Sequence, residues 1–247
     1  MQGVVLAAGT GSRLQHMTRD IPKALVEVGG RPLVQRALAF ARLVGCERFV
    51  VVVGAFADKV RPVVEQSGLE GLQVAYNPDF LKGNLYSLGA ARPLIDGDFL
   101  LLNTDHVYRK GVAGRVREQC RELTAFCDSD RQLGADDMKV ALDESGRLGR
   151  ISKQLDDFSR GYVGMCFCPD AMRDTYFRAF DEVAADIGDA AVVEMVLARL
   201  AATGHPAAVG DISGIGWLEI DTPDEHRLAE RTVVAEPEDF PALEAWS

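Results

Sequence analysis

VVLAAGTGSRLQHMTRDIPKALVEVGGRPL, residues 4–33, decides how the rest of the chain is read. An apolar strand, Val4 to Ala8, runs into a loop of small residues containing Gly9 and Gly11. Arg13 follows at once, and Lys23 comes later, behind Pro22. Glycine lacks the Cβ that blocks close approach, so such a loop can turn backbone N–H groups toward an anion. Arg13 adds a planar fork of donors and Lys23 a compact point charge. This build suits a nucleoside triphosphate. Leu6, Ala7, Ala8, Gly9 and Gly11 are its candidate nucleotide-binding residues, and Arg13 and Lys23 its candidate catalytic cations.

The spacing excludes two common phosphate motifs. No G-x-x-x-x-G-K-[ST] is present, so the loop is not a P-loop. The third glycine of G-x-G-x-x-G is missing, so the dinucleotide fingerprint fails. The combination L-A-A-G-x-G-x-R-L followed by P-K-A-L-V-E-V-G-G-R-P-L is far more specific than G-x-G alone. It resembles the N-terminal signature of the nucleotidyltransferases that join a nucleoside triphosphate to a phosphorylated sugar or alcohol.

Outward from this segment, short Val/Leu-rich strands alternate with helical stretches. Strands are expected at 3–8, 48–53, 71–76 and 98–103, with helices at 32–44, 56–66 and 84–93. That alternation predicts an α/β fold, Rossmann-like, with a mostly parallel central sheet covered by helices on both faces. A helix at 111–121 and a strand at 122–127 continue it. After residue 127 the pattern changes. MKVAL and RLGRIS flank Asp143-Glu144-Ser145-Gly146, a hairpin signal. A strand at 161–168, helical segments near 169–180 and 189–201, and short strands near 206–210 and 216–220 follow. Thr222 and Pro223 read as N-cap and first residue of a last helix. The expected organisation is one domain over 1–235, with a small β-rich acceptor lobe at about 128–215, and a Pro- and Glu-rich tail at 236–247, partly ordered.

A chain of 247 residues allows one large α/β domain or two small ones. Its net charge of −10 disfavours nucleic acid as a partner, since that needs a basic footprint. No apolar run reaches the ~18–20 residues of a membrane span, so membrane insertion is not expected. The five cysteines include no C-x-x-C pair, which argues against a disulfide framework or a zinc ribbon. With a first strand beginning at the N-terminus and no secretory leader expected, the compartment is read as the cytoplasm. A homo-oligomer is compatible with all of this.

Two aspartates follow apolar strands: Asp105 in FLLLNTDHVY and Asp221 in GWLEIDTPDE. Ligands of open parallel sheets sit beyond the carboxyl ends of strands, so both can reach the 9–13 loop. Each taken alone also fits a turn or helix cap. The resemblance assigns both to Mg²⁺, the expected cofactor, and His106 reads as a packing group or a support to Asp105. The implied reaction is attack of a phosphomonoester oxygen on the α-phosphorus with loss of pyrophosphate. The nucleophile is already anionic, so no general base is needed, and charge stabilisation carries the chemistry. Arg13 is then expected on the β- and γ-phosphates and Lys23 near the α-phosphate.

The pattern N-P-x-x-x-x-G-N-x-x-S-L at 77–88 resembles the branch that makes CDP-activated alcohols: inositol-phosphate, choline-phosphate and aminoalkylphosphonate cytidylyltransferases. It marks Asn84 and Ser87 as nucleotide contacts, although Asn84 also fits a helix N-cap. Asp105-His106, D-x-x-K-V around Lys139, and W-x-x-x-D-T-P-[DE] from Trp217 are most similar to the inositol-phosphate members. The implied partners are CTP and a small phosphorylated alcohol. The membrane-embedded synthase often fused to those members is not expected after Glu236. Lys139 and Trp217 are the candidate acceptor contacts. Lys153 is an alternative to Lys139, and Trp217 reads more readily as core, with a cation–π contact to a quaternary ammonium if it lines the pocket. Asp189 and Glu194 read as a solvated acidic face.

Three other readings stay open. One is a sugar-1-phosphate nucleotidyltransferase using UTP, GTP or dTTP. Another is a non-catalytic nucleotide-binding regulator of the same fold. The weakest is a glycosyltransferase, with Asp128-Ser129-Asp130 as its D-x-D.

Overall fold

Val4, Val5 and Leu6 are buried at the centre of the molecule, as a strand apolar on both faces requires. The computed structural model describes residues 1–242. Its strands are β1 (Gln2–Ala7), β2 (Glu27–Val28), β3 (Arg31–Pro32), β4 (Arg48–Val53), β5 (Leu72–Tyr76), β6 (Phe99–Asn103) and β7 (His106–Tyr108). They continue with β8 (Thr124–Asp128), β9 (Lys139–Leu142), β10 (Leu148–Ser152), β11 (Arg160–Cys168), β12 (Ala208–Asp211) and β13 (Trp217–Glu219). The helices are α1 (Leu33–Val44), α2 (Ala57–Glu65), α3 (Leu85–Ala91), α4 (Lys110–Gln119), α5 (Asp170–Ile187), α6 (Glu194–Ala202) and α7 (Pro223–Ala235).

β5, β4, β1 and β6 form a parallel quartet. β11 runs antiparallel to β6 and carries the sheet onward to β8, β9 and β10, with β12 alongside β8. The expected acceptor lobe thus extends the central sheet, nine strands in all. Helices α1, α2 and α4 cover one face with Val34, Phe40, Val60 and Val112 in that core. Helices α3, α5 and α6 cover the other with Leu85, Tyr176, Phe177 and Val196. This is the three-layer α/β fold expected from the alternating pattern.

Helix ends follow local chemistry. α1 stops at Gly45, in the left-handed region at φ 111°, whose N–H meets the Ala41 and Arg42 carbonyls. α7 opens on a capping box between Thr222 and Glu225, with Pro223 at its first position, as expected. α7 also packs over a small separate core of Leu14, Val26, Val107, Ile220 and Val233. Phe240 joins that core at 2% exposure, so the expected tail includes a packed residue. Residues 243–247 of that tail lie outside the described residues.

Candidate active site

The glycine loop leaves β1 and folds back over Lys23. Gly11 has φ +72°, and a Cβ on it would stand 2.5 Å from the Lys23 Cβ. Only glycine lets the loop close on the lysine stem at that angle. Leu14 then drops into the small core under α7. That contact ties Arg13 to the end of β13, where Asp221 stands.

Asp105 and Asp221 reach each other through a short ribbon that pairs the expected strand near 216–220 with β7, which the sequence did not suggest. β13 pairs antiparallel with β7, Trp217 opposite Tyr108 and Glu219 opposite His106. The Ile220 N–H donates to the Asp105 carbonyl at 2.9 Å. Lys23 Nζ lies between the two carboxylates, 3.2 Å from Asp105 Oδ2 and hydrogen-bonded to Asp221 Oδ1. Arg13 Nη1 is 2.7 Å from Asp221 Oδ2. His106 Nδ1 is 2.6 Å from Asp105 Oδ1. The groups therefore alternate in one line: His106, Asp105, Lys23, Asp221, Arg13.

Burial alone would raise the Asp105 carboxyl, but Lys23 and His106 beside it hold it well below the usual carboxylate range. Burial likewise opposes the Lys23 charge, and Asp105 and Asp221 outweigh it, so that ammonium is raised. The two aspartates thus share one cation, the Lys23 ammonium. Hard carboxylate oxygens suit Mg²⁺, which keeps waters and substrate oxygens in its remaining positions. Among the described residues no group of three or more His, Cys, Asp or Glu could hold a metal. A divalent ion here would therefore lean on Asp105, Asp221 and the nucleotide.

Cavities adjoin on either side of this line. One, about 340 Å³, is walled by Gly9, Gly11, Arg13, Lys23, Asp105 and Asp221. A smaller recess beside it is lined by Leu6, Ala8, Gly9, Asn84 and Ser87. Ala7 does not line it: its side chain is 1% exposed in the opposite core. A third cavity, about 220 Å³, lies toward the second half of the chain, and Arg13, Asp105 and Asp221 line it too.

Asn84 stands at the N-cap position of α3 without making a side-chain cap. Its Oδ1 instead accepts from the Val193 N–H at 2.9 Å, tying the two halves together. Ser87 is buried, with its hydroxyl accepting from the Asn77 side chain at 3.0 Å. Lys139 is not among the lining residues. Its ammonium donates to the Lys153 carbonyl at 2.8 Å and lies over the Phe158 ring. Lys153, the alternative, does line the third cavity.

Trp217 lines that cavity, but its rings are engaged. His106 stacks on it at 4.9 Å and the Arg131 guanidinium sits 4.3 Å from a ring centre. Its indole N–H donates to Asp128 Oδ2. Asp128 is buried, and its Oδ2 serves as the acceptor for this indole. Asp189 is exposed and pairs with Lys82, as a solvated acid would. Glu194 is the opposite: it is 9% exposed and lines the third cavity. Asn103 and Glu219, which the sequence did not single out, line it as well.

The MobA-like NTP transferase domain model matches residues 3–201. The chain is 29% identical over 94% of its length to a bifunctional IPC transferase and DIPP synthase of Aquifex aeolicus, covering 51% of that protein. It is 30% identical over 93% of its length to a CMP-5'-(3-aminopropyl)phosphonate synthase of Streptomyces rubellomurinus, covering 38% of it. The chain thus spans about half the length, or less, of these curated relatives. Among solved structures, an inositol-1-phosphate CTP transferase from T. maritima superposes with a TM-score of 0.81 at 23% identity, covering 95% of this chain and 96% of that one. That likeness shows a shared fold.

Proposed function

Since the chain belongs to the MobA-like NTP transferase domain family, we propose that it transfers a cytidylyl group from CTP to a phosphorylated alcohol. Inositol phosphate is the favoured acceptor, and pyrophosphate is the second product. The observation that carries this reading is the position of Arg13, Asp105 and Asp221. All three line both the glycine-loop cavity and the cavity of the second half. A group transferred between the two cavities passes this line of alternating charges.

The residues act by placement. The glycine loop and the recess at Asn84 and Ser87 take the nucleotide. Arg13 and Lys23 meet phosphate oxygens and stabilise charge as pyrophosphate departs. Lys153, with Arg13, holds the acceptor phosphate so that its oxygen faces the α-phosphorus. Asp105 and Asp221 would hold Mg²⁺, which when bound neutralises phosphate charge. Among the described residues no helix is long and apolar enough to cross a membrane. All five cysteines are free thiols, which supports a cytoplasmic setting.

The test is pyrophosphate release from CTP, UTP, GTP or dTTP with Mg²⁺ and a panel of phosphorylated alcohols and sugars. Release with CTP and a phosphorylated alcohol is expected, and loss on removing Mg²⁺. Release only with UTP and a hexose phosphate would reject the cytidylyl reading. Nucleotide binding without turnover on any acceptor would make the protein a regulator.

A further inference from the structure

Glu194 opens α6 at the wall of the third cavity and is nine-tenths buried. The other acids of that wall have cationic partners or water. Asp105 and Asp221 share Lys23 and Arg13. Glu219 and Asp137 share Arg131, at 2.9 and 3.6 Å. Asp136 is exposed. Glu194 is held by the Asn103 side chain and its own backbone N–H, with the His106 charge acting on it from nearby, and no lysine or arginine among the described residues forms an ion pair with it. Burial accordingly pushes its carboxyl up.

A buried carboxylate on a cavity wall with no lysine or arginine of its own calls for a donor from whatever enters. The same wall carries the amides of Asn84 and Asn103, which both donate and accept. A hydroxyl has that dual character, whereas an ammonium only donates. A quaternary ammonium offers no donor at all, and the Trp217 ring it would seek already packs against His106 and Arg131.

We propose that Glu194 is the specificity-determining residue for the acceptor, accepting a hydrogen bond from a hydroxyl of a phosphorylated polyol. This rests on the cytidylyltransferase reading. It deepens that reading by assigning the selection of the alcohol to one side chain, and by excluding quaternary ammonium acceptors.

The test compares the wild type, Glu194→Gln and Glu194→Ala. Pyrophosphate release is followed with CTP, Mg²⁺ and, separately, inositol 1-phosphate, 3-aminopropylphosphonate and choline phosphate. CTP affinity is measured in parallel by calorimetry. The wild type is expected to prefer the polyol phosphate. Glu194→Ala is expected to raise its KM by about 10- to 100-fold, the worth of a hydrogen bond to a charged group. Changes in kcat and CTP affinity stay small, and Glu194→Gln, which keeps an acceptor, falls between. An unchanged polyol KM in Glu194→Ala with CTP binding intact overturns the proposal. So does a wild-type preference for choline phosphate or the aminoalkylphosphonate, which leaves the cytidylyl reading standing. A wild type that binds no CTP overturns both.

Discussion

Gly164 lies so close to His106 that a Cβ on it would stand 2.5 Å from the imidazole Cε1. The glycine sits at the irregularity in β11 between Tyr162 and Cys166, with φ +69°. The bulge makes room for the ring that contacts Asp105. Gly164→Ala is therefore expected to cost about 1–3 kcal/mol from the left-handed backbone. It also turns His106 away from Asp105 and lowers turnover. Gly146→Ala is the control, because Gly146 has φ +78° and nothing within 4 Å of a Cβ. Thermal melts are expected to fall for both variants, and pyrophosphate release only for Gly164→Ala.

Lys23 neutralises two carboxylates at once, with side chains of Lys23 and Asp221 each 12% exposed. Removing one partner of such a buried cluster costs roughly 3–5 kcal/mol, since the remaining charges are left facing each other. Lys23→Met is expected to lose that stability in denaturant titration. It is also expected to lose about 10²–10³ in rate, as other charge-stabilising groups do. Added Mg²⁺ without nucleotide is expected to restore part of the stability of Lys23→Met and to raise the wild type less. An equal effect of Mg²⁺ on both proteins would argue against Asp105 and Asp221 as a cation pair.

The parts legible in the sequence were those fixed by nearest neighbours. VVLA, RFVVVV and FLLLN carry enough β-branched and leucine side chains to declare buried parallel strands. The Thr222-Pro223 start of α7 is set by its own capping chemistry. What stayed hidden depends on distant contacts. The strand near 216–220 is expected from the sequence, but β7 is three residues long, too short for periodicity, and it is the pairing of the two that brings Asp105 to Asp221. Glu194 stands near Asp189 in an acidic stretch, and only the packing of α6 against the sheet buries one and leaves the other in water. Lys139 and Lys153 are equivalent on a hairpin until the Lys153 carbonyl and Phe158 capture the Lys139 ammonium.

Glu194 also predicts a pH effect. Burial raises its folded-state pKa above the ~4.3 of an exposed glutamate. Between those values the folded protein holds the proton and the unfolded chain does not. Its contribution to stability therefore declines as pH rises through that window and is constant above the folded pKa. Glu194→Gln removes the titration. Its stability relative to the wild type is expected to improve as pH rises from about 4 toward neutrality, read from urea midpoints across pH. A constant difference would mean that the carboxyl does not titrate differently on folding.

Arg131 lies over a ring of Trp217 at 4.3 Å and is paired with Glu219 at 2.9 Å. Arg131→Ala uncovers the ring and frees the Glu219 carboxylate in the same cavity wall. A choline headgroup then gains an aromatic surface, a cation–π contact being worth ~0.5–2 kcal/mol. The ratio of kcat/KM for choline phosphate over inositol 1-phosphate is expected to rise by about tenfold. The wild type serves as reference, with CTP affinity unchanged. If the ratio stays fixed while CTP still binds, Arg131 does not guard the acceptor cavity and the exclusion of quaternary ammonium acceptors lies elsewhere in its wall.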